Sequence, residues 1–193
     1  HNLVHREIVA PKGTTFTSHR AENEQSSEFM ASTDNWFRPT MARTGPDGGL
    51  WVADMYRHVI EHPQWIPKEM QEKLDLRAGK EQGRIYRVVR DNTPLRPVPR
   101  LDQLSNVELV QVLESPNGTQ RDMAHQLMVS KKDNGVVPEL TNMVRHGKSA
   151  TARLHALCVL EGLGQVSNET VLTALKDKHP GVRRHAIRIS ESK

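Results

Sequence analysis

The stretch Asp34–Arg57, DNWFRPTMARTGPDGGLWVADMYR, decides the reading of the first half of the chain. Phe37–Arg43 and Leu50–Met55 carry the aromatic, β-branched and long apolar residues that suit strands. Between them lies Gly45-Pro46-Asp47-Gly48-Gly49. Proline presets φ at the first turn position, and Asp and Gly accept the turn and left-handed conformations that follow. The stretch predicts a β-hairpin.

Toward the N-terminus, Leu3–Ala10 predicts an extended run, Pro11-Lys12-Gly13 a turn and Thr14–Arg20 a returning strand. Ala21–Ser27 is polar and loop-like, with Phe29 and Met30 placed to anchor it. Beyond the hairpin, Met55–His62 is short, polar and stopped by Pro63. Pro67 suits the first turn of a helix, expected over residues 67–75 with Met70 and Leu74 on one face. Gly83 precedes Arg84–Arg90, whose Ile85, Tyr86, Val88 and Val89 predict a closing strand. Three prolines in Asp91–Pro99 can neither donate to a ladder nor continue a helix. The chain therefore divides into a β-rich segment over 1–92, a Pro-rich linker over 93–99 and helical repeats over 100–193. A few strands alone are marginally stable, so the β-rich part is expected to pack against the first helices and bury Trp51, Trp65 or both.

From residue 100 the helical period takes over. Ser105 with Glu108 is a capping box, and Leu104 with Leu109 its hydrophobic staple. Helices are expected near 105–114, 118–130, 138–146, 150–163, 168–176 and 180–190, stopped at Pro116, Gly135, Gly147, Gly162/Gly164 and Pro180. Arg121-Asp-Met-Ala124, Arg153-Leu-His-Ala156 and Arg183-Arg-His-Ala186 recur at spacings of 32 and 30 residues. Each follows a Leu-x-x-apolar helix: Leu109/Val112, Leu140/Met143 and Leu172/Leu175. Two helices per unit of roughly 30 residues indicate an α-solenoid rather than a simple bundle. The fold class is α+β, a small antiparallel β-region followed by that solenoid.

Charge is unevenly placed. Residues 1–95 hold 13 Lys/Arg against 13 Asp/Glu, whereas residues 96–193 hold 14 against 10. The second half is weakly basic, and no aromatic follows Tyr86. A nucleic-acid face shows a denser basic stripe with aromatics between the charges, so no nucleic acid is expected as a partner. No apolar run approaches the ~20 residues of a membrane span, and this segment is expected to be soluble without membrane insertion. Cys158 is the single cysteine, which excludes an internal disulfide and a Cys-x-x-Cys-His haem site within the chain. The sequence starts at His1 without an initiator Met, and its last helix carries Ile187 and Ile189. The natural chain is expected to extend at both ends.

GPDGGLWVAD resembles the inner-strand repeat of β-propeller blades of the soluble glucose/sorbosone dehydrogenase type. The longer run from Ala31 to Leu76 looks like the last part of the propeller in the membrane-bound dehydrogenase family of planctomycetes and verrucomicrobia. In that family a propeller is followed by HEAT-type helical repeats and often by a c-type cytochrome domain. His179-Pro180-Gly181-Val182-Arg183 is similar to the inter-helix turn of HEAT repeats of the phycobilisome-lyase type. The resemblance implies a bacterial, periplasmic or membrane-associated parent that oxidises sugars or alcohols, with pyrroloquinoline quinone and calcium as its cofactors. It also implies a role for Arg38. Asn35-Trp36-Phe37-Arg38 is similar to the segment that supplies an arginine to the quinone, where the family carries Arg-x-Arg and this chain has Trp36 in the first place. A guanidinium offers a planar fork to a carboxylate or quinone oxygen. The bland alternative is an arginine stacked on Trp36 or paired with Asp34 or Asp54. The family's histidine base lies in an earlier blade, and His5, His19, His58 and His62 do not sit in its motif. No catalytic residue is assigned, and the chain alone is expected to be inactive.

Other candidates are weaker. His58 and His62 at i, i+4 could meet on a helix, but Pro63 follows at once and an ordinary loop pair is expected. Asp47 and Asp54 could serve calcium, without the Asp-x-Asp-x-Asp-Gly loop such a site uses. His125, His155 and His185 recur about once per repeat, yet packed helices lie roughly 10 Å apart. They are read as surface residues too widely spaced for one metal, and no metal site is assigned. Cys158, between Leu157 and Val159, reads as a buried small apolar residue. The rival functional class is a protein-interaction module using the helical surface, with other domains of the parent or a separate protein as partner.

Overall fold

Gly45-Pro46-Asp47-Gly48 turns the chain as expected, closed by the Gly48 N–H donating to the Gly45 carbonyl at 2.9 Å, with Gly48 at φ +82°. It joins β5 (Pro39–Thr44) to β6 (Leu50–Asp54). The computed structural model describes residues 2–12, 15–94 and 96–191. The expected turn residue Gly13, the strand start at Thr14, Leu95 of the linker and the last two residues lie outside the described residues. The architecture is mixed α+β, with small antiparallel sheets and helices. Two compact units are present: His1–Arg43 with Gly49–Thr93, and Thr44–Gly48 with Pro94–Lys193.

In the first unit β6 is the centre of a three-stranded sheet, between β5 and β7 (Arg84–Val88). β6 and β7 run antiparallel with Val52 opposite Tyr86. Val52 is fully buried, Phe37 is 3 % exposed and its ring meets Tyr86 edge-on at 5.9 Å. The expected run Leu3–Ala10 is broken at His5 and Arg6. β1 (Leu3–Val4) pairs with β4 (Met30–Ala31), and β2 (Glu7–Lys12) pairs with β3 (Thr15–Arg20). The break has an electrostatic reason. His5 sits against Glu28 and Arg6 against Glu24, so both leave the strand line. Pro11, expected in the turn, lies within β2 opposite Phe16, which an isolated two-stranded ribbon tolerates.

The helix expected over 67–75 is confined to α1 (Lys68–Gln71). Met70 is 52 % exposed, so no apolar face is buried to extend a single costly turn. Of the two tryptophans of which one or both were expected to be buried, Trp51 is half-buried and Trp65 is 75 % exposed. Trp65 ends a one-turn 3-10 segment, Pro63–Trp65, which has no apolar layer to pack under it. The buried apolar residues described in this unit are Ala21, Phe37 and Val52.

The second unit holds the larger core. Its helices are α2 (Asn106–Gln111), continued by a 3-10 turn to Glu114, α3 (Gly118–Lys131), α4 (Val137–His146), α5 (Ala150–Gly162), α6 (Asn168–Leu175) and α7 (Pro180–Ser190). Each falls within a residue or two of its expectation. Ser105 accepts from the Glu108 N–H while Glu108 accepts from the Ser105 N–H, completing the capping box. Sequential helices pack as α4 on α5 and α6 on α7. Helices two apart also pack: α2 on α4, α4 on α6, α3 on α5 and α5 on α7. Leu109, Leu113, Met128, Leu140, Leu157, Leu160 and Ile189 fill the space between them, each 0–1 % exposed. No helix among the described residues is long and apolar enough to cross a membrane.

The recurring arginines share one structural task. Arg121 donates to the Ser115 carbonyl at 2.6 Å, Arg153 to that of Gly147 at 2.8 Å and Arg183 to that of Asp177 at 2.8 Å. In every case the acceptor lies six residues upstream, across the turn that leads into the helix. The helix caps recur as well, with Asn117, Ser149 and His179 accepting from backbone N–H groups four residues before each arginine.

Candidate functional site

Arg38 sits just before β5, and its backbone N–H donates to Asp54 Oδ1 at 2.8 Å. The Tyr56 N–H donates to the same oxygen at 2.8 Å, and Asp54 is 2 % exposed. Through Oδ1 the acid ties the strand ends together, while its buried Oδ2 has no hydrogen-bond partner among the described residues. The Arg38 side chain turns back, one terminal nitrogen donating to the Phe37 carbonyl at 3.1 Å. Its Nε is buried without an acceptor, an orphaned donor of the kind that costs free energy unless something answers it. Asp34 accepts from the Trp36 N–H at 2.9 Å and the Tyr56 hydroxyl at 2.7 Å, and the Arg38 charge also acts on it. The Trp36 N–H holds the Asp34 carboxyl below its usual range, with the Tyr56 hydroxyl adding to the effect.

Around Arg38 lies an aromatic row. Trp36 stands 5.8 Å from Tyr56 and stacks on His58 at 5.4 Å. The Arg84 guanidinium lies over the Tyr56 ring at 3.7 Å, and its Nε is 3.9 Å from Asp54 Oδ2. His62, by contrast, accepts from the Gln64 N–H at the start of the Pro63–Trp65 turn. The two histidines at i, i+4 thus have separate local tasks.

Calcium needs six to eight oxygen ligands. Asp54 Oδ1 is taken by two backbone N–H groups, and no group of three or more His, Cys, Asp or Glu residues among those described is arranged to hold a metal ion. The orphaned Arg38 Nε is a donor without an acceptor among the described residues, and it is closed to solvent.

Residues 1–92 match the family described as a domain of unknown function (DUF7133). No curated protein matches the chain, and no solved structure does. The match covers the β-rich residues and ends ahead of α2.

The second unit carries two grooves of its own. One, of about 810 Å³, is lined by Arg145, His146 and Lys148 on one side and by Leu172, Lys176 and Lys178 on the other. Leu172 is 58 % exposed. Arg145 is paired with Glu169 at 2.7 Å and Arg153 with Asp177, and the three lysines have no ion-pair partner among the described residues.

The other groove, of about 360 Å³, gathers Asp122, His125, His155, Cys158 and His185. Here the expected wide spacing fails. His125 and His155 are hydrogen-bonded through their Nδ1 atoms at 3.2 Å, one ring donating and the other accepting. Helix axes near 10 Å apart leave room for two imidazoles to meet in the middle. Both rings are half-buried, and burial pulls both below the ordinary histidine value. Cys158, expected in the core, is half-buried at the groove, with Sγ 3.9 Å from His185 Nδ1. Burial raises its thiol pKa.

Proposed function

We propose that the helical unit is a HEAT-type α-solenoid that works as a protein-interaction module, taking an acidic segment with an exposed apolar side chain. The observation that carries this reading is the groove in which Lys148, Lys176 and Lys178 surround the exposed Leu172. Unpaired cations beside an exposed apolar side chain select a partner of opposite charge whose own apolar side chain can cover Leu172. The solenoid reading draws support from the two-apart packing of the helices and from the three arginines with one shared acceptor position.

The test is a fluorescent peptide of alternating Asp/Glu and Leu residues, titrated with the full chain. The expected result is saturable binding that weakens about tenfold on raising salt from low to physiological strength. Reversing Lys148, Lys176 and Lys178 to Glu abolishes it. Equal binding of a neutral Leu peptide, or of the acidic peptide to the reversed variant, overturns the reading.

A second reading concerns the β-rich unit. It is the last part of a propeller from a quinoprotein-like, membrane-associated or periplasmic dehydrogenase, inactive in this chain. The observation favouring it is sparse burial beside much exposed apolar strand surface: Val9 is 62 % exposed, Phe16 67 % and Ile85 67 %. Strands of that kind are completed by further strands. Arg38 would add one guanidinium to a quinone pocket that other parts of the parent complete. With pyrroloquinoline quinone, calcium and an artificial electron acceptor, no sugar or alcohol oxidation by this chain is expected. Sustained turnover would overturn the claim of inactivity.

A further inference from the structure

We propose that His125 and His155 form a two-imidazole chelate for a divalent transition-metal ion of the Zn²⁺ or Ni²⁺ class, bridging α3 and α5 through their Nδ1 atoms. Two nitrogens bound to one tetrahedral ion at about 2.0–2.1 Å stand about 3.3 Å apart. The two Nδ1 atoms stand 3.2 Å apart before any ion is added. The ring centroids are 5.5 Å apart, so the two Nδ1 atoms point at each other along one line. Conversion to a chelate keeps their separation and turns each ring by roughly 35° toward a shared tetrahedral ion. Imidazole is a ligand type these ions favour.

The surroundings agree with that use. Asp122 Oδ1 lies 3.8 Å from His155 Nε2, on the side of the ring away from His125. At that distance the acid is not hydrogen-bonded to the ring, and its charge favours the proton on Nε2 through space, leaving the Nδ1 lone pair for the ion. In the metal-free pair one Nδ1 carries the shared proton. On binding, that proton moves to the Nε2 of its own ring, so a neutral pair releases none. Arg121 also acts on His155 and disfavours positive charge on it. Cys158 lies one helical turn from His155, but its thiol faces His185. The described residues offer no third ligand in place. Water fills the remaining positions from the open side of the groove, and affinity falls below that of a closed structural zinc site.

The test is Zn²⁺ alone, titrated into the full chain by calorimetry and followed by helical unfolding at 222 nm. Zn²⁺ at about 100 times its Kd is expected to raise the helical Tm by about 10 °C. The rise disappears, and affinity drops about tenfold or more, in His125→Gln and in His155→Gln. Scattered histidines elsewhere bind Zn²⁺ about equally in the folded and unfolded chain, so they shift the helical Tm little. Should either variant fold poorly, ¹⁵N spectra of the wild-type imidazoles decide. Saturating Zn²⁺ is expected to convert both rings to Nε2–H forms with Nδ1 metal-bound. Unchanged resonances of both rings, or a Zn²⁺-dependent Tm rise retained in both variants, overturns the proposal.

Discussion

Arg153 grips Asp177 with two N–H···O bonds of 2.6 and 2.9 Å, and both side chains are almost fully buried, 5 % and 8 % exposed. The same guanidinium donates to the Gly147 carbonyl, so one side chain joins the α4–α5 turn to the α6–α7 turn. Removing one partner of a buried pair leaves the other charged and uncompensated. Asp177→Ala is expected to cost about 3 kcal/mol in urea unfolding of the helices. Replacing both, Arg153→Met with Asp177→Leu, is expected to cost less than the single change. A double variant as unstable as Asp177→Ala would contradict this account.

The same pair sets an acid limit. The hydrogen bonds from Arg153 hold the Asp177 carboxyl below its usual range. Such a group adds stability that is complete above its unfolded pKa, about 3.9, and is lost as pH falls through the lower folded value. Helical stability is expected to decline below about pH 4 in the wild type and to flatten in that window in Asp177→Asn.

A second window belongs to His125 and His155, whose folded pKa values burial depresses against the pull of Asp122. Between the folded values and the unfolded one near 6.5, the unfolded chain binds more protons. Stability therefore falls as pH drops below about 6.5. His155→Gln is expected to remove part of that slope. An unchanged slope between pH 7 and pH 5 would show that the pair does not carry it.

The helices were largely legible because their signals are local. Caps, stops and apolar period fix α2 to α7 from residues a few positions apart. The arginine repeat was legible as a repeat, but its shared acceptor six residues upstream requires the folded turn. What the sequence concealed lies across helices. Ala124, Ala156 and Ala186 are fully buried, and His125 follows its alanine whereas His155 precedes its own. Residues just after and just before a buried position lie on opposite flanks of a helix, so across neighbouring helices these two face each other. Helix separation alone concealed that meeting. In the β-rich unit, Trp65 stays exposed because side-chain type indicates a preference for burial without supplying the layer to bury it.

The capping box offers a local test. Ser105 Oγ accepts from the Glu108 N–H, and Glu108 returns a bond to the Ser105 N–H at 2.9 Å. Ser105→Ala leaves a donor of the first turn unanswered and is expected to cost about 1 kcal/mol. Ser105→Asp, which retains an acceptor, is expected to recover most of the loss. Equal losses for both would place the effect outside the cap.

Gly79 tests the β-rich unit. Its φ is +86°, a region L side chains rarely adopt, and a Cβ there would stand 2.2 Å from the Tyr56 carbonyl oxygen. That oxygen is backbone, and Tyr56 is itself held at φ +49° with its N–H on Asp54. The obstacle cannot swing aside as a side chain would. Gly79→Ala is expected to cost about 2 kcal/mol or more through strain in both segments. Trp36, Trp51 and Trp65 are the chain's three tryptophans and all belong to this unit. Fluorescence therefore reads its unfolding, while ellipticity at 222 nm reads chiefly the helices. The fluorescence transition is expected to move to lower urea. If it stays in place, the chain between Tyr56 and Gly79 is free to open at little cost, and the approach of Gly79 to Tyr56 does not stabilise the unit.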